Sequence, residues 1–77
     1  MELQTFLENF ESQFEEVVPG SISPDTSLET IDEWGSLQAL VIISMIDSKY
    51  GVKVKGDDIN NAKTIQDIFE LIRVQKQ

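Results

Sequence analysis

Seventy-seven residues with six Lys/Arg, fourteen Asp/Glu and no His or Cys describe one small domain of net charge −8, too short for a second core. Without His or Cys, neither a zinc site of the usual kind nor a common nucleophile-and-base pair can be assembled, and so short a chain has little wall to enclose a substrate pocket. An enzyme is therefore not expected. Residues 1–48 hold ten acids and no base, whereas residues 49–77 hold four acids and all six bases. Such a surface repels nucleic acid and anionic lipid and favours partners rich in Lys and Arg. The start, Met1-Glu2-Leu3-Gln4, has neither the basic nor the apolar region of a signal peptide, and no apolar run approaches membrane-spanning length. A cytoplasmic, monomeric protein is expected.

In chain order, Leu3, Phe6, Leu7, Phe10, Phe14 and Val17 recur three and four apart, opposite Glu8, Glu11 and Glu15. The spacing predicts an amphipathic helix over residues 3–17, stopped by Pro19-Gly20. A long loop to Gly35 follows, rich in turn formers and held to the core by Ile22, Leu28, Ile31 and Trp34. The second helix is predicted over Ser36–Tyr50, between Gly35 and Gly51. Projection at about 100° per residue places Ala39, Ile42, Ile43, Ile46 and Tyr50 on the core face and Leu37, Val41 and Met45 on the opposite, exposed face. A helix turned by about 60° would instead bury Leu37 and Leu40.

Val52-Lys53-Val54-Lys55 alternates, but no second alternating run exists to pair with it, so an extended connection with inward valines is expected. Gly56-Asp57-Asp58 opens a turn or short helix through Ala62. Thr64-Ile65-Gln66-Asp67 has the form of a capping box, and Ile65, Ile68, Phe69, Leu71 and Ile72 form the buried stripe of a last helix that frays over residues 75–77. The expected architecture is all-α: a four-helix bundle with three main helices, one short one, and a long loop between the first and second, as a single domain over residues 1–77.

The residue of greatest chemical interest is Ser36. A helix start offers unpaired backbone N–H groups and the positive end of the helix dipole, where a phosphate attached to the serine hydroxyl would be stabilised. The simpler reading is that Ser36 merely caps the helix. An exposed stripe of Leu37, Val41 and Met45 beside it would form a partner-contact patch. Other candidates are weaker. Ser27, also followed by Leu, lies among turn residues. Asp57, Asp58, Asn60 and Asn61 lack the Glu that an EF-hand loop requires, and Asp32 with Glu33, near Asp25 and Glu29, reads as a solvated acidic loop before it reads as a loose cation site. No metal is expected.

On these residues the chain resembles the acyl carrier proteins. Trp34-Gly35-Ser36-Leu37, followed by Leu40, Ile43, Ile46-Asp47 and Tyr50-Gly51-Val52, is similar to the family's W-D-S-L segment and the helix behind it. Asp25-Thr26-Ser27-Leu28 looks like its loop, and Thr64-Ile65-Gln66-Asp67-Ile68 like the start of its last helix. The resemblance implies covalent 4′-phosphopantetheine, derived from coenzyme A, on Ser36, with its terminal thiol carrying an acyl group. A chain without Cys then needs no thiol of its own. The implied partners are a phosphopantetheinyl transferase and acyl-transferring or acyl-modifying enzymes with basic patches, meeting Leu37, Val41 and Met45; the pathway would be fatty-acid, polyketide or related specialised synthesis. Two departures stand out: Gly35 where the family has Asp, and Gln38 and Val41 where fatty-acid carriers have acids. The alternative is an unmodified, acidic carrier-like domain acting as a noncovalent interaction module.

Overall fold

The structure, a computed structural model, describes residues 2–76. Four helices enclose one apolar core: α1 (Leu3–Glu11), α2 (Ser36–Tyr50), α3 (Gly56–Asn61) and α4 (Ile65–Lys76), with one 3-10 turn, Leu28–Thr30, in the long first loop. This is the expected all-α bundle. An aromatic chain runs through it: the Phe6 ring lies 5.6 Å from Phe69, 6.0 Å from Tyr50 and 6.0 Å from Phe10, and Phe10 in turn lies 5.0 Å from Phe14 and 6.3 Å from Trp34.

The first helix is shorter than its apolar spacing predicts. It ends at Glu11, not Val17, because local and distant side chains compete for its backbone. Ser12 Oγ donates to the Asn9 carbonyl at 2.7 Å, and Gln13 and Phe14 turn tightly back onto Phe10 and Glu11. The Glu33 carboxylate, brought in from the far end of the loop, accepts the next two free donors, the N–H groups of Glu15 and Glu16. Phe14 still reaches the core, outside the helix. Pro19-Gly20 therefore does not stop a helix. It forms a separate turn, in which Gly20 adopts a positive φ of 85° and Ser21 N–H donates to the Val18 carbonyl.

The loop is pinned as expected, with Leu28 and Ile31 buried and Ile22 and Trp34 half-buried. Backbone bonds from Leu28 to Lys63, Ile65 to Thr26 and Gln66 to Pro24 tie it to the start of α4. The predicted capping box is present: Asp67 N–H donates to Thr64 Oγ1 at 3.2 Å, and the Thr64 N–H donates to the Asp67 carboxylate at 3.1 Å. That carboxylate also accepts the Lys63 N–H, and the two backbone donors of Lys63 and Thr64 hold the Asp67 carboxyl below its ordinary value. Ile65, Ile68, Phe69 and Ile72 are buried, with Leu71 half-buried at the edge. The last helix stays regular through Lys76, whose ammonium donates to the Tyr50 carbonyl; the expected fraying at Gln77 lies outside the described residues.

The boundaries of α2 match the glycines that flank it, with Gly51 in the left-handed conformation at its C-terminal end. Its rotation does not match. Ala39, Ile42, Met45 and Ile46 are buried, an arc centred about 50° from the one expected. Ile43 and Tyr50 move to the margin of the core, and Met45, expected to be exposed, is 5 % exposed and packs inside. Leu40 turns outward. The turn is opposite in sense to the one that would have buried Leu37 and Leu40. Its physical cause is the chain leaving α1, which lies along the Gln38–Met45 side of the helix: Gln38 Nε2 donates to the Gln13 carbonyl at 2.9 Å, and Gln13 lines a groove with Val41 and Met45. Val52 and Val54 point inward from an extended connection, and Ile59 of α3 is fully buried.

Candidate functional site

The junction between the loop and α2 is built from contacts on both sides of Ser36. Trp34 is half-buried, its ring stacked on Phe10 at an interplanar angle of 27°, and its backbone N–H donates to the Ile31 carbonyl. Gly35 follows in a fully extended conformation that any residue can adopt, and a Cβ there would meet nothing within 4 Å. The first helical bond of α2 runs from the Ala39 N–H to the Gly35 carbonyl at 2.8 Å. The N–H groups of Ser36, Leu37 and Gln38 therefore have no partner inside the helix.

Ser36 is exposed and is the first residue of α2, not its cap. Gly35 occupies the cap position, and no side chain bonds to the open end of the helix. The capping reading of Ser36 is thus replaced by a serine whose hydroxyl is not used to close its own helix. The first turn of α2 carries no acid, so no side-chain charge within it offsets the positive end of the helix dipole. An anionic group attached at Oγ fits this setting. Beside the serine runs a cleft of about 190 Å³, lined by Ser36, Ala39, Leu40 and Ile43 of α2 and by Gly56 and Asn60 of α3.

The exposed apolar surface next to Ser36 differs in composition from the sequence expectation. Leu37 is 77 % exposed and Leu40 62 % exposed, Val41 is half-buried, and Met45 leaves the patch for the core. Leu40 carried a usable signal: it stands four residues after Ser36, on the same side of the helix. Ser27 lies in the loop, in an isolated bridge to Thr64. The Glu33 carboxylate is engaged by backbone donors. Both of its oxygens accept N–H groups, and among the described residues no cluster of acids is arranged to hold a metal ion.

The single acid of α2, Asp47, lies 3.5 Å from Lys53 near the end of the helix away from Ser36, and the other acids of residues 1–48 all precede α2 in the chain. Among the described residues no helix is long and apolar enough to cross a membrane.

No curated protein and no solved structure matches the chain. A family model does: that of the phosphopantetheine attachment site matches residues 5–72, from α1 to the last buried turn of α4, and includes the whole Trp34–Leu37 junction. With that match and the helical bundle behind it, the chain belongs to the phosphopantetheine attachment site family, the carrier domains of acyl-carrier type whose cofactor is covalently attached 4′-phosphopantetheine.

Proposed function

We propose that this carrier bears its 4′-phosphopantetheine on Ser36 and moves acyl intermediates between enzymes of fatty-acid, polyketide or a related specialised synthesis. The observation that carries the proposal is the position of Ser36: exposed, first in α2, with an uncapped helix end behind it and an apolar cleft beside it. Once bound, the group supplies the thiol that holds the acyl load as a thioester. The chain's own residues do the rest. Ser36 Oγ is the nucleophile that forms the phosphodiester, losing its proton to a base on the transferase as the adenosine bisphosphate part of coenzyme A departs. The free N–H groups of the first turn of α2 offset the negative charge retained at that position. Ala39, Leu40, Ile43, Gly56 and Asn60 offer a surface along which an attached group can lie out of water.

Leu37 and Leu40, flanked by Val41, form the apolar contact surface for partner enzymes, and the acids of α1 and the loop attract the partners' basic patches. No zinc site or Cys- or His-based catalytic pair can be assembled from this chain, in keeping with a carrier that is acted upon. Intact mass spectrometry after incubation with coenzyme A and a broad-specificity transferase tests the assignment. The expected result is a single addition of roughly 340 Da, the mass of the cofactor fragment, lost in Ser36→Ala and retained in Ser27→Ala. An unchanged mass with several transferases, and in protein from its own host, would instead favour a noncovalent interaction module.

A further inference from the structure

The Ser36 junction has no side-chain tie of its own. Gly35 is extended, with open space where a side chain would stand, no side chain caps α2, and Ser36 is exposed. Beyond the backbone bonds from Trp34 to Ile31 and from Ala39 to Gly35, its orientation is imposed by side chains on its flanks, and all three of these, from Glu33, Trp34 and Gln38, lead to one short stretch of chain, residues 10–16. Before the serine, Glu33 Oε1 accepts the Glu15 N–H at 3.1 Å and Oε2 accepts the Glu16 N–H at 2.9 Å, while Trp34 stacks on Phe10. After it, Gln38 Nε2 donates to the Gln13 carbonyl at 2.9 Å.

We propose that Glu33, with Gln38 as its counterpart, is a positioning residue for Ser36: the two side chains clamp the junction onto the segment leaving α1 and hold the serine in the orientation the transferase meets. The proposal rests on Ser36 as the modified residue. A carboxylate suits the task because it presents two acceptor oxygens to two successive backbone donors, whereas an amide presents one acceptor and turns its NH2 group toward the second N–H. The same contact keeps the chain beyond Phe14 from resuming the helix, since it holds the N–H groups of Glu15 and Glu16. The path of the chain after α1 and the orientation of the serine are thus joined by one interaction. Loss of the clamp spreads the junction over several orientations, and a transferase that engages only one of them sees a lower effective concentration of competent carrier.

Glu33→Ala, Glu33→Gln and Gln38→Ala test this, with transferase kinetics and 15N relaxation of the Gly35 and Ser36 amides measured on each. The expected result is a fall in kcat/KM of about three- to tenfold for Glu33→Ala, the loss equivalent to about one hydrogen bond. Glu33→Gln should lose less, and all three variants should show increased mobility of the junction amides. Gln38→Ala changes no charge, so its slower modification cannot come from weaker attraction to a basic enzyme. Should Glu33→Ala fail to fold, Gln38→Ala and Glu33→Gln carry the same test. Slow modification of the Glu33 variants with unchanged junction amides would overturn the proposal and make Glu33 a direct contact of the transferase. Normal kinetics with unchanged amides would overturn it as well. If wild-type protein accepts no cofactor, the functional assignment of Ser36 fails, while the amide relaxation still decides whether the clamp exists.

Discussion

Truncating Met45 and Leu40 to alanine distinguishes the two faces of α2. Met45 is 5 % exposed, so Met45→Ala removes a nearly complete side chain from the core and leaves a cavity, at a cost of about 2–4 kcal/mol. Leu40 is 62 % exposed, and full burial of a leucine contributes about 1.5–3 kcal/mol, so the buried fraction of Leu40 accounts for about 1 kcal/mol or less. A domain of 77 residues has a total stability of about 4–11 kcal/mol, and Met45→Ala therefore removes a large share of it. Equilibrium urea unfolding followed by tryptophan fluorescence reads the difference, since the one tryptophan, Trp34, stacks on core Phe10. With a slope of about 1 kcal/mol per molar urea, the midpoint should fall by about 2–4 M for Met45→Ala and by under about 1 M for Leu40→Ala. The reverse order would refute the rotation of α2, and with it the placing of Leu37 and Leu40 on the contact surface. Equal, small effects would mean that the Met45 site collapses without a cavity.

Two further outcomes follow from local geometry. Gly35→Asp places the family's usual residue at a position with room for its side chain and an unstrained backbone; as an N-cap acid facing the free donors of α2 it should stabilise the fold by about 0.3–1 kcal/mol, raising Tm by about 2–6 °C, and a lower Tm would show that the junction needs glycine. Asp67, whose carboxyl is held below the ordinary 3.8 by the Lys63 and Thr64 N–H groups, stabilises the folded state fully above that ordinary value and loses this contribution as the pH falls through its depressed one. Wild type should therefore exceed Asp67→Asn in urea midpoint at neutral pH and converge with it in acid; a gap independent of pH would mean the carboxylate's charge plays no part in the cap.

Much of this protein is decided within short stretches of sequence. The glycines at 35 and 51 bound α2, the Thr64–Asp67 pair closes the start of α4, the alternation of Val52 and Val54 marks an inward-facing connection, and the three- and four-residue spacing of Ile65, Ile68, Phe69 and Ile72 sets the buried stripe of the last helix. Each depends on interactions within about one turn of the chain, which is why each is legible without the fold. The serine at the start of α2 and the motif around it are local in the same sense. The end of α1 is not wholly local: Ser12, Gln13 and Phe14 turn back within the chain, but a carboxylate 17 and 18 residues further on takes the N–H groups that follow. Nor is the rotation of α2. That helix has apolar residues at nearly every angle, so its own periodicity selects no face, and the tertiary placing of the segment after α1 along its Gln38 side, with Met45 inward and Leu40 out, is what selects one. The serine can thus be found by its neighbours in sequence, whereas the surface beside it and the clamp on its flanks exist only once residues 10–16 have been brought against the junction.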